Sequence, residues 1–207
     1  MNRKRVCVIL AVVMVFTASL ALAKTVEPEG PKTVRFAGQT LHATVGEYVD
    51  FMNAFRVTVY ENDRFAAGEI DSLAAGDILL ADGRPYTVRE MTTLPDGEPM
   101  AVLEDGLEIV FVKDGEGYTA HYTDDDRQCM RAVAELFLSP AEGIVYEDNS
   151  DPDLDAEMKV YEGLEAVLAA KAEKEETSIG FDFYATTVTL NENLEITNIH
   201  QNYDVAQ

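Results

Sequence analysis

Between residues 73 and 122 the chain alternates short apolar runs with Asp-Gly pairs. The runs are 78–81, 86–91, 100–103 and 107–112, and residues 118–122 follow the last pair. Asp82-Gly83, Asp96-Gly97, Asp105-Gly106 and Asp114-Gly115 mark the joints. Glycine accepts positive φ, and aspartate bonds its own backbone, so each pair suits a tight turn. Short strands joined this way predict an antiparallel meander that curls into a small barrel or a strongly bent sheet.

Outside that stretch the period changes. The residues TVGE at 44–47 match a capping box, and Val45, Tyr48, Val49 and Met52 recur at helical spacing, which predicts a short helix over 45–54. RVTVY at 56–60 reads as a strand. Met130, Val133, Ala134 and Phe137 fall on one helical face. The acids of 123–126 stand at its start, and Pro140 and Gly143 stop it. A longer helix is expected over 152–176, with Leu154, Met158, Tyr161, Leu164, Leu168 and Ala172 as its apolar stripe and KAEKEE at 171–176 as a solvated tail. Residues 179–190 and 194–203 then form a hairpin about Asn191-Glu192-Asn193. Its alternation slips in both arms at similar distances from the turn, as a shared bulge would produce.

LAAGDILLADGRPYTV at 73–88 resembles the GD-turn stretch of SH3-like small barrels. That resemblance implies shape and not activity. The expected fold class is α+β: an antiparallel β-meander or small SH3-like barrel, then two helices and a long bent C-terminal β-hairpin wrapping the second helix. Residues 33–122 form the β-rich part with one short helix. Residues 123–207 form the helix-helix-hairpin region, which can pack with the preceding part as one domain.

The N-terminus reads differently. A basic start, Arg3-Lys4-Arg5, leads into an apolar run and then into Ala21-Leu22-Ala23, which suits signal-peptidase cleavage. Residues 1–23 are therefore expected to be a signal peptide. A retained membrane anchor is the rival reading, since the apolar run is just long enough to span. Residues 24–32, with Pro28, Gly30 and Pro31, read as a flexible tether. The mature form is expected to be secreted or at the cell surface, with no integral membrane span.

The formal charge is −22, and loss of Arg3, Lys4 and Arg5 would take it to −25. Such a surface repels phosphate backbones, which argues against nucleic acid, and attracts a basic protein, a cation or a cationic cell-surface ligand. Cys7 would leave with the signal, so Cys129 would stand alone with no disulfide partner.

Two stretches could carry chemistry. In YEDNSDPDLDAEM at 146–158, Asp151, Asp153 and Asp155 alternate, and Glu162 stands twelfth in a frame starting at Asp151. Those are acidic positions of a Ca²⁺ loop, although Ala156 stands where such a loop needs glycine. The other reading makes Asp151 an N-cap and Pro152 the first helical residue, with Asp153 and Asp155 facing the helix dipole. Cys129 is the candidate nucleophile, with His121 and His200 as bases to test, and a buried inert thiol as the alternative. His42, His121 and His200 are scattered, and no phosphate-binding, zinc-protease or serine-nucleophile motif is present. The sequence thus favours a non-catalytic acidic binding domain. A hydrolase using carboxylates or Cys129, and a Ca²⁺-dependent structural module, are the alternatives.

Overall fold

The computed structural model describes residues 35–124, 126–151, 157–176 and 185–202. The proposed signal peptide and tether lie outside them. The first half of the chain runs β1 (Thr40–Val49), β2 (Ala54–Asn62), β3 (Arg64–Ala66), α1 (Ala67–Ser72), β4 (Ile78–Ala81), β5 (Arg84–Thr93), β6 (Pro99–Leu103), β7 (Glu108–Asp114) and β8 (Gly117–Tyr122). The second half runs β9 (Met130–Leu138), β10 (Pro140–Asn149), β11 (Lys159–Glu162), α2 (Leu164–Glu176), β12 (Thr186–Leu190) and β13 (Ile196–Asn202). Strands predominate and helices are few, within the α+β class.

The meander forms where the Asp-Gly pairs place it. β3 to β8 make a six-stranded antiparallel sheet in the order β3-β8-β7-β6-β5-β4. At the β4–β5 turn both Asp82 and Gly83 have positive φ, 51° and 67°, the geometry of a tight two-residue hairpin. Its inner face holds Leu79, Val88, Leu103, Ile109, Phe111 and Tyr122, closed at one end by Ile70 of α1. Phe65 of β3 packs edge-on to Phe111, with ring centroids 5.5 Å apart.

The other seven strands form a mixed sheet in the order β11-β10-β13-β12-β1-β2-β9. β10 and β13 run parallel, and its other neighbours pair antiparallel. Only Ser139 separates β9 from β10, although four strands lie between them in the sheet. The sheet must curl strongly to bring those ends together. Phe55, Val57, Val59, Ile144, Tyr146, Ile196 and Ile199 fill its inner face, and α2 packs on β10 and β11, adding Val167 and Ala170.

The six-stranded sheet is an insertion into the seven-stranded one. β2 and β9 pair from Phe55↔Leu138 to Asn62↔Met130, and all of β3 to β8 lies between them in sequence. The pairing continues into the neck, where Asp63 N donates to Cys129 O at 2.8 Å. β1 and β2 therefore share a sheet with β9 to β13 and not with the meander that follows them.

Three expected helices are corrected. The helix over 45–54 is absent: Thr44 to Val49 are strand, and only Asp50–Met52 turn helically, as a 3-10 turn. β1 carries a register shift between Val45 and Tyr48. One added residue turns a period of two into a step of three, and Val45, Tyr48 and Val49 then mimic a helical face. The helix expected from Met130 is likewise strand β9. Its register on β2 slips between Ala134 and Ala132, leaving Val133 as the extra residue. The second helix starts late, at Leu164. Residues 159–162 are strand β11, so Tyr161 is not on its stripe, and Leu154 lies outside the described residues. Gly163, at φ 83°, makes the change of direction. The tail is not wholly solvated either, since Lys171 is buried. Of the expected hairpin, residues 179–184 and 203 lie outside the described residues; β12 and β13 pair antiparallel, with a register shift between Thr189 and Leu190.

Gly117 and Gly68 make a paired test of this packing. A Cβ at Gly117 would stand 2.5 Å from Phe65 O, whereas one at Gly68 in α1 meets nothing within 4 Å. Gly117→Ala should cost about 1–3 kcal/mol by prising β3 from β8, and Gly68→Ala should be neutral or add up to about 1 kcal/mol. Urea unfolding of the two variants measures both.

Candidate functional site

The outward face of the seven-stranded sheet gathers polar side chains into rows. Glu147, His200, Thr187, His42 and Tyr60 stand side by side across β10, β13, β12, β1 and β2. Each alternates with a buried neighbour: Tyr146, Ile199, Val188, Ala43 and Val59. A second row holds Thr40, Thr189 and Asn198, with the two threonine hydroxyls 2.9 Å apart. Beside them Thr44, Gly46, Glu47, Arg56, Thr58 and Glu135 line an open depression of about 350 Å³. The irregularity of β1 between Val45 and Tyr48 spans its Gly46-Glu47 wall. Arg56 Nη2 donates to Glu135 Oε2 at 2.8 Å across it.

Hydrogen bonds order this face. Glu147 Oε2 accepts from Asn198 Nδ2 at 2.9 Å and lies 3.1 Å from His200 Nδ1. The Asn198 bond, helped by His200, holds the Glu147 carboxyl below its usual range against slight desolvation. His200 Nε2 meets Asn202 Oδ1 at 3.0 Å, so both ring nitrogens are engaged. The imidazole is fixed as part of a surface network and is not open on one side for proton transfer.

The neck between the sheets holds a polar cluster. Asp63, only 4% exposed, accepts from Asp82 N at 2.6 Å. Asp82 in turn accepts from Tyr122 Oη at 3.2 Å and from Met130 N at 3.3 Å. Tyr86 Oη lies 3.1 Å from Tyr122 Oη. Burial pushes the Asp63 carboxyl above its usual range, and the Asp82 amide and Arg131 only partly oppose it. Cys129 belongs here, fully buried. Burial first, then the nearby Asp82 and Asp63 carboxylates, push its thiol up to about 12. It precedes a strand and gains no helix-terminus field, contrary to the helical context expected of it.

A third cluster ties α2 to β10. Lys174 Nζ lies 2.9 Å from Asp148 Oδ2, and Ser150 Oγ donates to Asp148 Oδ1 at 2.6 Å. Lys174 also donates to Ser150 Oγ. Desolvation alone would raise the Asp148 carboxyl, but bonds from Ser150 and Lys174 outweigh it and hold the group below its usual range. A serine and a lysine meet here, yet the ammonium is spent on a carboxylate, so it is not a base for the hydroxyl.

The structure separates most of the candidates found by sequence. His121 sits on β8, its Nε2 3.0 Å from Thr119 Oγ1 and its Nδ1 3.4 Å from Asp126 O, while His200 and His42 lie on the other sheet. The hydroxyl bonded to Cys129 is that of Tyr122, not an imidazole. Asp153 and Asp155 lie outside the described residues, and Asp151 is exposed. Glu162, the expected closing ligand, is in β11 paired with Val145. Among the described residues no group of three His, Cys, Asp or Glu side chains is arranged to hold a metal ion. No helix among them is long and apolar enough to cross a membrane. Sequence reasoning missed Asp63, Asp82, Asp148 and Lys174, because isolated acids and a lysine in a charged run look the same whether wet or buried. Comparison with protein-family models, with curated proteins and with solved structures finds no match.

Three outcomes are expected. Cys129 in the native chain should resist Ellman's reagent and react at once after unfolding in guanidinium, read as absorbance of the released thiolate. Removing the partner of Asp148 by Lys174→Met should destabilise the fold by about 3–5 kcal/mol by stranding a buried charge. The Asp148 carboxyl titrates lower when folded, so its contribution is full above 3.8 and disappears as pH falls below that value. The wild-type chain should therefore lose stability through that acid window, and Asp148→Asn should flatten that limb in urea melts run across pH.

Proposed function

We propose that the chain is a secreted, acidic, non-catalytic binding domain that meets a cationic partner with the outward face of its seven-stranded sheet. The observation that carries this reading is that face itself: ordered rows of Thr, Asn, His, Glu and Tyr beside an open depression whose rim holds Glu47 and Glu135. Hydrogen-bonded polar side chains on a sheet lose little entropy on binding, because the strands already position them. The net charge of −22 supports a basic partner by steering its approach. A secretory start, Arg3-Lys4-Arg5 ahead of an apolar run, supports an extracellular setting. The strong curl of the six-stranded sheet, with the Asp82 turn reaching the Asp63 neck, supports an SH3-like barrel as the scaffold of the inserted part.

Poly-L-lysine is the probe for this reading. Replacing Glu47 and Glu135 by glutamine should weaken its binding by about threefold or more at low salt, measured by calorimetry. The control pair Asp96→Asn and Asp105→Asn, on turns of the other sheet, removes the same charge and should change affinity little. Equal losses for both pairs would mean that charge alone binds the probe, and the sheet face would lose its role.

A further inference from the structure

β4 is an edge strand built unlike the other edges. β3, β9 and β11 are the remaining edge strands among the described residues, and each carries charge: Arg64 in β3, Arg131 and Glu135 in β9, Lys159 and Glu162 in β11. Charges on an edge discourage further strand pairing. β4 reads Ile78-Leu79-Leu80-Ala81 and has none. Leu79 and Ala81 point into the core, at 3% and 0% exposure, while Ile78 and Leu80 are 63% and 64% exposed.

The ladder shows which backbone groups face the open side. Val88 N donates to Asp77 O at 2.9 Å and Val88 O accepts from Gly76 N at 2.8 Å, so Gly76 and Asp77 oppose Val88 as a bulge that leaves Asp77 in the bonded phase. Bonded and non-bonded pairs alternate along an antiparallel ladder. Leu79/Tyr86 and Ala81/Arg84 are then bonded pairs, and Ile78/Thr87 and Leu80/Pro85 are not. Pro85 has no N–H to offer, which agrees with this phase. The N–H and C=O of Ile78 and Leu80 thus point away from β5, and no other hydrogen bond reaches them among the described residues. The two residues present unpaired backbone groups and bare apolar side chains together.

We propose that β4 is a docking edge for an extended segment of a cationic partner polypeptide, which adds as a further strand beside Ile78 and Leu80. Charge complementarity selects this occupant. From Glu69 to Arg84 the acids are Glu69, Asp71, Asp77 and Asp82, against the one base Arg84. Asp77 and Asp82 bracket the strand in sequence; Asp82 is held by Tyr122 and Met130 at the neck and Asp77 is exposed, so a segment alternating apolar and basic residues lays the former on Ile78 and Leu80 and a basic residue toward Asp77. A second copy of this chain does not fit. Its own β4 would bring the same bracketing acids and a like net charge of −22. A four-residue strand also buries far less than the roughly 1,200 Å² that a stable dimer needs. Docking here is accordingly weak and reversible. It concerns a different surface from the sheet face proposed above and stands without it.

The test uses a short acetylated, amidated peptide alternating lysine and valine, and its glutamate-valine counterpart. With the full chain, the lysine peptide should bind and should slow hydrogen exchange at the Ile78 and Leu80 amides. The glutamate peptide should do neither. Leu80→Lys and Ile78→Lys, both at exposed positions, should keep the wild-type unfolding midpoint and weaken the lysine peptide by about tenfold. Glu47→Gln with Glu135→Gln should leave it unchanged, which separates this edge from the sheet face. Binding that survives both lysine substitutions, equal binding of the two peptides, or unprotected Ile78 and Leu80 amides overturns the proposal. So does a concentration-dependent dimer that Leu80→Lys abolishes, since the occupant is then a second copy.

Discussion

The fold depends on one long-range pairing, that of β2 with β9. These strands are neighbours in space from Phe55↔Leu138 to Asn62↔Met130, and everything in the six-stranded sheet lies between them in the chain. Closing so long a loop costs entropy before any contact repays it. The inserted meander reduces that cost by folding on local hairpins, each set by an Asp-Gly turn, and it brings Asp63 and Cys129 together at the neck. With β9 in place, the chain passes through Ser139 straight into β10, and the curl of the larger sheet follows.

The neck is where the two sheets exchange polar groups. A buried carboxylate, Asp63, accepts the backbone N–H of Asp82 at the β4–β5 turn, and Asp82 accepts from Tyr122 and Met130. These bonds join β2, the β4–β5 turn, β8 and the start of β9. Burial opposes the charge on Asp63, so this tie adds orientation at some expense of stability. The Asp148–Ser150–Lys174 cluster has the opposite balance, because its charge is matched, and it clamps α2 on the larger sheet. Cys129 sits beside the neck cluster as a small buried group whose thiol stays protonated at neutral pH.

The surfaces divide in a similar way. The larger sheet turns hydrogen-bonded polar rows outward, whereas the smaller sheet ends in an uncharged edge with apolar side chains in the open. Acidic side chains stand on both sheets. The two surfaces lie on different sheets.

The meander, its turns and the α+β class are legible along the chain, because those features are local. An Asp-Gly pair needs only its own backbone to prefer a turn, and a period of two needs only adjacent strands. The acidic net charge is likewise set by composition alone. Tertiary structure decided the identity of β1 and β9. Their bulges, at Gly46-Glu47 and at Val133, put apolar residues three apart and imitate a helix, and only partners far along the chain show otherwise. The same holds for the polar groups. Nothing local separates Asp63 and Asp148 from the wet acids around them, since burial is a property of the strands that pack above a residue and not of its neighbours in sequence.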